Sequence, residues 1–286
     1  MKVLLLGASG QLGWQLQRSL SLVADCHFLT RAQLDLANSQ AIQSLLKQLQ
    51  PDWVVNAAAY TAVDKAESEP ALATQINALA PAVMAETLAK NGGRLLHFST
   101  DYVFNGQGAT PWRETDPTAP LNQYGASKLA GEQAITASQC QHLILRTGWV
   151  YGENGQNFFN TMRQLAKTRS TLSVVDDQIG APTWSRHLAD TAAQMLRHFQ
   201  QSGIYHVSAS GQTSWYQFAK AIFEALSQQG HNIPLLEAVT SNDYPAIAQR
   251  PAYSVLSNQK LKEHYDLCLP DWRQSLQWVL QSVALP

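Results

Sequence analysis

Cysteine is scarce in this sequence, and long apolar runs are absent. The three cysteines, Cys26, Cys140 and Cys268, show no spacing typical of zinc or of a redox dithiol. We expect free thiols in a reducing cytosol, and therefore a cytoplasmic protein. No run of about 20 apolar residues could cross a bilayer, and the run after Lys2 is too short for a signal peptide. The sequence therefore predicts no membrane partner.

A large excess of charge of either sign is also lacking. The 20 basic and 21 acidic residues give a formal net charge of −1 and a pI near 6.7. This balance provides no basic field for nucleic acid, so we predict no nucleic-acid partner. At 286 residues with 45% hydrophobic composition, the chain can form one large α/β unit, with or without a smaller appendage.

Apolar strand patterns alternate with helical patterns through the first half of the chain. Residues 2–6, 26–29, 52–56, 94–99 and 142–147 are typical of strands. This alternation predicts an α/β fold, a Rossmann-type doubly wound parallel sheet with a smaller C-terminal α/β substrate-binding portion.

The alternation of strand and helix patterns becomes less regular near residue 152, where we place a domain boundary. Residues 1–152 are the predicted dinucleotide-binding domain, and residues 153–286 the mainly substrate-binding portion, from which some segments are free to return to the first sheet. Residues 63–91 have a helical pattern, with interruptions expected near Pro70 and Pro81. Residues 105–122 are rich in Gly, Pro and Thr and predict a long loop.

Three glycines, Gly7, Gly10 and Gly13, follow the first strand at a spacing of three residues. Such a turn lets the backbone approach a diphosphate, and the amino terminus of the next helix attracts the anion. A glycine triplet alone is a weak signal, equally typical of an ordinary strand-to-helix turn. Its place between a strand and a helical pattern that starts at Leu12 favours a dinucleotide site.

The residues after the second strand indicate which coenzyme binds. An acidic side chain there would bind the ribose 2′-hydroxyl of NAD, but Thr30 and Arg31 occupy this point. Arg31 can meet a 2′-phosphate instead, or it can be a solvated loop residue. We favour NADPH, with NADH as the alternative. Asp35 and Leu36 in the next loop are expected beside the adenine.

Small residues follow the third strand, where Ala57 and Ala59 precede Tyr60 and Thr61. They would let the chain pass close to a flat ligand such as the nicotinamide ribose. Tight packing of a helix on the sheet would favour the same residues, and both roles can hold.

A tyrosine and a lysine four residues apart, Tyr124 and Lys128, would lie one turn apart on one face of a helix. The ammonium would lower the pKa of the phenol from its ordinary value of about 10. The phenol could then exchange a proton with a carbonyl or carbinol oxygen, to which Thr100 would offer its hydroxyl. These residues predict carbonyl reduction or alcohol oxidation with a bound hydride carrier.

These motifs resemble the extended short-chain dehydrogenase/reductases, and within them the dTDP-4-dehydrorhamnose reductase family. The resemblance runs nearly end to end, and its most specific segments are residues 63–67 and 177–183. Further segments that carry it are residues 7–14, 55–59, 99–104, 120–125, 146–151 and 250–251. It implies an NADPH-dependent oxidoreductase that reduces the C4 keto group of dTDP-4-dehydro-β-L-rhamnose, a small nucleotide sugar, in polysaccharide biosynthesis.

The resemblance also assigns roles to particular residues. It implies a catalytic set of Thr100, Tyr124 and Lys128, and substrate contacts from Thr100, Asp101, Trp149 and Arg250. The coenzyme contacts, from the motifs and the resemblance together, are Gly7, Gly10, Gln11, Leu12, Gly13, Arg31, Asp35, Leu36, Ala57, Ala59, Tyr60, Thr61, Tyr124 and Lys128.

Two of the implied substrate contacts have plain structural alternatives. The face of Trp149 would cover the apolar side of the pyranose, or the ring could be part of the core. The Arg250 guanidinium would pair with the substrate diphosphate, or it could form a structural salt bridge.

One departure from the family pattern concerns a metal. Some members bind a divalent cation at a dimer interface through acidic side chains, but the matching positions here hold Gln15 and, near the second, Arg186 and His187. Mg²⁺ prefers oxygen ligands that include a carboxylate, so we predict no metal. A homodimer is allowed by the resemblance, without a metal link.

Two rival functions are weighed against the reductase. A nucleotide-sugar 4,6-dehydratase needs an acidic residue directly after Asp101, but Tyr102 stands at that position. A 4-epimerase is harder to exclude, but it would retain its coenzyme through the catalytic cycle. A regulatory subunit of the methionine adenosyltransferase type shares the fold without catalysing a reaction. The intact Thr100, Tyr124 and Lys128 argue against that role.

Overall fold

The computed structural model describes residues 1–283. Its strands are β1 (Lys2–Leu6), β2 (Asp25–Leu29), β3 (Trp53–Asn56), β4 (Arg94–Thr100), β5 (Gln141–Thr147), β6 (Val150–Tyr151), β7 (Thr171–Val175), β8 (Ile179–Gly180), β9 (Thr183–Trp184), β10 (Gly203–His206), β11 (Thr213–Ser214) and β12 (Leu235–Val239).

The helices connect and flank these strands. They are α1 (Gln11–Ser21), α2 (Ser39–Leu49), α3 (Val63–Ala66), α4 (Pro70–Thr74), α5 (Ala80–Asn91), α6 (Gln123–Ala137), α7 (Phe158–Ala166), α8 (Ser185–Arg197), α9 (Trp215–Gln228), α10 (Gln259–Tyr265) and α11 (Trp272–Ser282). A π-helical turn (Gln75–Leu79) joins α4 to α5, and short 3-10 turns lie at Asp101–Val103 and Ser241–Asp243.

A six-stranded parallel sheet forms the centre of the described chain, in the order β10-β5-β4-β3-β1-β2. Because β1 lies between β2 and β3, the connections leave it in opposite directions, and a crevice opens at the carboxyl ends of β1 and β3. The predicted doubly wound Rossmann-type sheet is confirmed.

Helices cover both faces of this sheet. Leu16 of α1 and Leu188 of α8 belong to the core of one face, and Ile42 of α2 and Met84 of α5 to the other; each is 0% exposed. A sheet buried on both faces needs apolar side chains at successive positions. This requirement explains the unbroken apolar run at residues 3–6.

The helical segment at residues 63–91 differs in one respect from its prediction. The chain does break between α3 and α4, before Pro70, but the interruption expected near Pro81 is wrong, because the π turn runs directly into α5. The N–H of Ala80 bonds to the Gln75 carbonyl, and Pro81 lies in the first turn of α5, where a missing N–H is tolerated.

The chain returns to the central sheet after residue 152. β10 pairs with β5 at the edge of the sheet, and α8 packs against α1. Other segments beyond residue 152 form a separate apolar cluster that includes Phe159, Phe218 and Trp272. Segments after residue 152 thus contribute both to the central sheet and to a second apolar cluster. The division into domains at residue 152 stays a prediction.

Candidate active site

The glycine turn, residues 7–13, is packed too closely for side chains. Gly7 has φ of +81°, and a Cβ on it would lie 2.8 Å from the Ala58 nitrogen. A Cβ on Gly13 would lie 2.0 Å from the Gly7 carbonyl oxygen. Only glycine allows these contacts, so the turn brings β1, α1 and the end of β3 to one point at the carboxyl edge of the sheet.

A cavity of about 540 Å³ opens beside this turn. It brings together most of the residues predicted to contact the coenzyme. The predicted residues that line it are Gly7, Gly10, Gln11, Leu12, Arg31, Asp35, Leu36, Ala57, Ala59, Thr61, Tyr124 and Lys128. The predicted residues that do not line it are Gly13, Tyr60, Thr100, Asp101, Trp149 and Arg250.

Tyr124 and Lys128 lie in the first two turns of α6. Asn122 caps this helix, because its side-chain oxygen accepts a hydrogen bond from the Gly125 N–H at 2.8 Å. Burial raises the pKa of Tyr124 to about 12, although a hydrogen bond with Thr100 acts in the opposite direction. The phenol therefore carries its proton at neutral pH.

The pKa of Tyr124 is thus raised by burial rather than lowered, contrary to the expectation from its spacing with Lys128. The amine is 1% exposed and contacts the Phe98 carbonyl at 2.6 Å and His97 Nε2 at 3.0 Å. Burial lowers the pKa of Lys128 to about 8, although Glu132 raises it. Removal of water thus favours the uncharged form of both the phenol and the amine.

Asp101 is a buried carboxyl directly after Thr100. It is 2% exposed, and its Oδ1 accepts a hydrogen bond from the Thr100 hydroxyl at 3.1 Å. Its Oδ2 has no hydrogen-bond partner within residues 1–283. Burial raises the pKa of Asp101 to about 6, so part of the population is protonated near neutral pH.

Trp149 stacks on a second tryptophan and lies close to a glycine. Its backbone is in the left-handed region (φ +52°), and its ring stacks on Trp215 with centroids 3.5 Å apart. Gly180 lies close to the ring as well, since a Cβ on it would come within 2.3 Å of Cε2 of Trp149. One face of the indole is thus covered by Trp215, and the predicted contact with the substrate stays a prediction.

Arg250 forms a bidentate ion pair with Asp64 of α3. The two contacts are 2.8 Å and 3.2 Å, and Asp64 also accepts the Ala248 N–H at 3.0 Å. The Arg250 hydrogen bond holds the pKa of Asp64 below its ordinary value. The structural salt bridge considered for Arg250 is therefore present, and its contact with a substrate diphosphate stays a prediction.

At the positions that match the metal ligands of some family members, the side chains form hydrogen bonds and ion pairs within the chain. Gln15 donates to Glu153 at 2.6 Å, and Arg186 pairs with Asp190 at 2.8 Å. Within residues 1–283 there is no cluster of three or more His, Cys, Asp or Glu side chains placed to hold a metal ion. Over the same residues, no helix combines the length and apolar character needed to cross a membrane.

Three buried polar residues next to the site were missed by the sequence reasoning: Asn56, Asn77 and His97. Asn77, in the π turn, bonds to both the N–H and the carbonyl of Tyr60, at 2.8 and 3.0 Å, and to the Ser127 hydroxyl at 3.0 Å. It thus ties the segment after β3 to α6. The available signal was a polar residue within an otherwise apolar pattern, since buried polar groups need partners.

The fold and this geometry define a class of protein. A glycine turn at the reversal point of a parallel sheet, with a tyrosine and a lysine one helical turn apart on the opposite wall, is the arrangement of a dinucleotide-dependent oxidoreductase. The class is that of the extended short-chain dehydrogenase/reductases.

Comparison with known proteins identifies one family within this class. The family model described as the RmlD substrate binding domain matches residues 1–285. A dTDP-4-dehydrorhamnose reductase of Burkholderia thailandensis is 44% identical, over 96% of this chain and 97% of its own. One from Escherichia coli K12 is also 44% identical, over 99% and 98%.

Solved structures agree with the sequence comparison. A dTDP-4-dehydrorhamnose reductase of Bacillus anthracis, in complex with NADP, matches with a TM-score of 0.93 and 37% identity over 99% of both chains. A Thermus thermophilus UDP-glucose 4-epimerase complex with NAD has a TM-score of 0.82 at 20% identity over 99% of this chain and 100% of its own, and shows the fold alone. The chain belongs to the dTDP-4-dehydrorhamnose reductase family.

The Asp64–Arg250 pair should stabilise the protein by a measurable coupling. We expect a double-mutant cycle of Asp64→Asn and Arg250→Gln in urea unfolding to give about 0.5–1 kcal/mol at pH 7, since the pair is bidentate but partly exposed. Because the pKa of Asp64 is lowered on folding, the coupling is present above the ordinary value of 3.8 and is lost as the pH falls below it.

The matched control is the Lys220–Glu224 pair, which is exposed and 4.0 Å apart. Its cycle should give a smaller coupling. Equal couplings for the two pairs would mean that the Asp64–Arg250 contact contributes no more than an ordinary surface pair.

Proposed function

We propose that this protein reduces the C4 keto group of dTDP-4-dehydro-β-L-rhamnose to dTDP-L-rhamnose with NADPH. The observation that carries the proposal is that Tyr124 and Lys128 line the same cavity as Gly7 and Gly10. The relatives that are 44% identical over nearly the whole chain are dTDP-4-dehydrorhamnose reductases, and the Bacillus anthracis relative binds NADP. Both lines of support favour a reductase over the rival functions.

The residues of the cavity fit a dinucleotide phosphate. The missing side chains at Gly7 and Gly10 leave the start of α1 open to a diphosphate, whose charge the helix amino terminus stabilises. Arg31 lies on the cavity wall, where it would pair with a 2′-phosphate, and Asp35 and Leu36 line the same end. Bound NADPH would supply the hydride that is transferred to C4.

Tyr124 is the proposed general acid. Its pKa of about 12 keeps the phenol protonated at neutral pH, as a proton donor must be. As the carbonyl carbon gains the hydride, negative charge would develop on the C4 oxygen. Thr100, whose hydroxyl donates to Asp101 in this structure, would turn that hydroxyl to the C4 oxygen, and Tyr124 would donate a hydrogen bond and then its proton to the same oxygen. Lys128 would hold the ribose end of the coenzyme and, when charged, would stabilise the phenolate left behind.

The substrate side of the site is proposed from residues next to Thr100. Asp101 and Trp149 would contact the deoxysugar, and Arg250 would approach the diphosphate while it keeps part of its pairing with Asp64. The second carboxylate of a dehydratase is absent, because Tyr102 follows Asp101. Consumption of one NADPH per sugar separates a reductase from an epimerase, which regains its coenzyme in each cycle.

The setting of this activity concerns the division of the chain, its location and its assembly. Residues 1–152 would bind mainly the coenzyme, and residues 153–286 mainly the sugar. We propose a cytoplasmic location, since NADPH and free cysteines suit a reducing compartment. A homodimer without a metal link is the assembly that we propose.

Replacement of Tyr124 by Phe should lower turnover by about 10²–10⁴-fold, because the variant loses a positioned acid. The measurement is the loss of NADPH absorbance with enzymatically prepared dTDP-4-dehydrorhamnose. Binding of NADPH, followed by fluorescence, should persist. Tyr265→Phe is the matched control, since Tyr265 lies away from the cavity in α10. Turnover of Tyr124→Phe equal to that of the control would refute the assignment.

Replacement of Arg31 by Ala should raise the KM for NADPH by about tenfold, the effect of one lost charge-assisted contact. The KM for NADH should change little, because NADH lacks the 2′-phosphate. Arg169→Ala, which removes an exposed arginine remote from the cavity, is the control. Equal changes in KM for NADPH and NADH would show that Arg31 does not contact the 2′-phosphate.

A further inference from the structure

The loop of residues 152–157 connects β6 to α7 and belongs to the wall of the coenzyme cavity. Gly155 and Gln156 of this loop line the cavity together with Gly10 and Gln11. The loop is in close contact with the start of α1, since a Cβ on Gly155 would lie 3.1 Å from Cβ of Gln11. Neither the coenzyme contacts nor the catalytic set predicted from the sequence include a residue of this loop.

Asn157, the last residue of the loop, fastens it to α1. Its amide nitrogen donates to the carbonyl oxygens of Gly152 and Asn154, at 2.9 and 3.2 Å, and to Oε1 of Gln11 at 3.1 Å. Its Oδ1 accepts from the Asn160 N–H at 3.0 Å and so caps α7. One amide group therefore joins the loop, the first residue of α1 and the start of α7.

Backbone partners fix the direction of these hydrogen bonds. A reversed Asn157 amide would place NH₂ against the Asn160 N–H and an oxygen against the carbonyl of Gly152. Gln11 is oriented in the same way, because its Nε2 donates to the Val150 carbonyl at 3.1 Å. Its Oε1 is then the atom that accepts from Asn157.

Glu153 fastens the other end of the loop to α1. Its carboxylate accepts from Nε2 of Gln15 at 2.6 Å and from the Trp184 indole N–H at 3.0 Å. Gln15 lies one helical turn after Gln11, so the two ends of the loop contact the same face of α1.

Asn160, in the first turn of α7, gives the loop its compact shape. Its amide nitrogen donates to the carbonyl oxygens of Gly152, Glu153 and Gly155, at 3.2, 3.3 and 3.0 Å. These contacts persist whether or not Asn157 binds Gln11. Loss of the Asn157 amide should therefore release this end of the loop from α1 without unfolding the loop.

We propose that Asn157 is a positioning residue for the coenzyme: it holds the loop of residues 152–157 against the start of α1 and so keeps Gly155 and Gln156 in the cavity wall beside the glycine turn. A wall that is already in place costs less ordering free energy when a ligand binds. The proposal rests on the proposed function, since it concerns the coenzyme of that reaction. The diphosphate that the glycine turn would bind is common to NADPH and NADH, so Asn157 should favour both.

The first test replaces Asn157 by Ser. Serine caps a helix about as well as asparagine, but it has no amide nitrogen to bind Gln11. The dissociation constants of NADPH and NADH, measured by fluorescence without any sugar, should both rise roughly 3- to 10-fold, the effect of one or two lost hydrogen bonds. Unchanged constants, or a rise for NADPH alone as expected for Arg31→Ala, would overturn the proposal.

A second variant separates this role from helix capping. Asn157→Ala loses the cap as well as the amide nitrogen, so its Tm should fall below that of Asn157→Ser. The two variants should nevertheless bind NADPH with similar affinity. Affinity that is lost only in Asn157→Ala would mean that Asn157 acts solely through the cap of α7, contrary to the proposal.

The matched control is Asn258→Ser. Asn258 donates to the Ser208 carbonyl at 2.8 Å and accepts the Ser208 N–H at 3.1 Å, and it does not line the cavity. This variant loses an amide nitrogen bound to a carbonyl, as Asn157→Ser does, but it should keep the wild-type affinity for NADPH. An equal loss of affinity in Asn258→Ser would overturn the proposal, because the effect would then not belong to the loop.

A double-mutant cycle tests whether Asn157 acts through Gln11. Asn157→Ser and Gln11→Ala remove the same contact, so the loss of NADPH affinity in the double variant should be smaller than the product of the two single losses. Losses that simply multiply would show that the two side chains act independently and would contradict the proposal.

Turnover provides the last readout. In Asn157→Ser the KM for NADPH should rise, whereas kcat at saturating coenzyme should not fall, because the residue positions the coenzyme and does not touch the reacting atoms. A fall in kcat with an unchanged dissociation constant would overturn the proposal. A wild-type protein that binds NADPH but does not reduce the sugar would instead count against the proposed function alone.

Discussion

The close approach of two backbone segments at the carboxyl edge of the sheet is the constraint on which the site depends. Gly7 and Gly13 have no side chains, so the turn after β1 packs directly on Ala58 at the end of β3. A Cβ on Gly7 would clash with the Ala58 backbone, and a Cβ on Gly13 would clash with the Gly7 carbonyl, so a side chain at either position would force the turn to move. The coenzyme cavity therefore exists because two strands, on either side of the reversal in sheet order, can meet without side chains between them.

Exclusion of water then determines the charge state of the groups around the cavity. Burial raises the pKa of Tyr124 and of Asp101 and lowers that of Lys128. All three shifts favour neutral forms, as low polarity requires. Tyr124, with a pKa of about 12, therefore holds its transferable proton at neutral pH.

Contacts from late in the chain hold α3 and the start of α6 in place. Asp64 of α3 binds Arg250, and the Asn122 side chain donates to the Gln249 carbonyl at 2.8 Å. Asn122 also caps α6, so one residue joins the C-terminal segment to the helix that bears Tyr124. The position of the proposed acid thus depends on residues more than a hundred places away in the sequence.

The sequence by itself determined the Rossmann-type sheet and most of the residues that line the cavity beside the glycine turn. Apolar strands buried on both faces and a glycine turn are local patterns, and they predict the same elements wherever they occur. The helical spacing of Tyr124 and Lys128 was equally local, and both line the cavity.

Only the tertiary structure decided the pKa shifts of the site residues and the contacts between segments that are far apart in the chain. The spacing alone predicted that Lys128 would lower the pKa of Tyr124, but burial raises that pKa instead. Pairing of Arg250 with Asp64 and stacking of Trp149 on Trp215 join segments far apart in the chain. Desolvation and long-range contacts depend on which surfaces the fold brings together, and no local pattern encodes that choice.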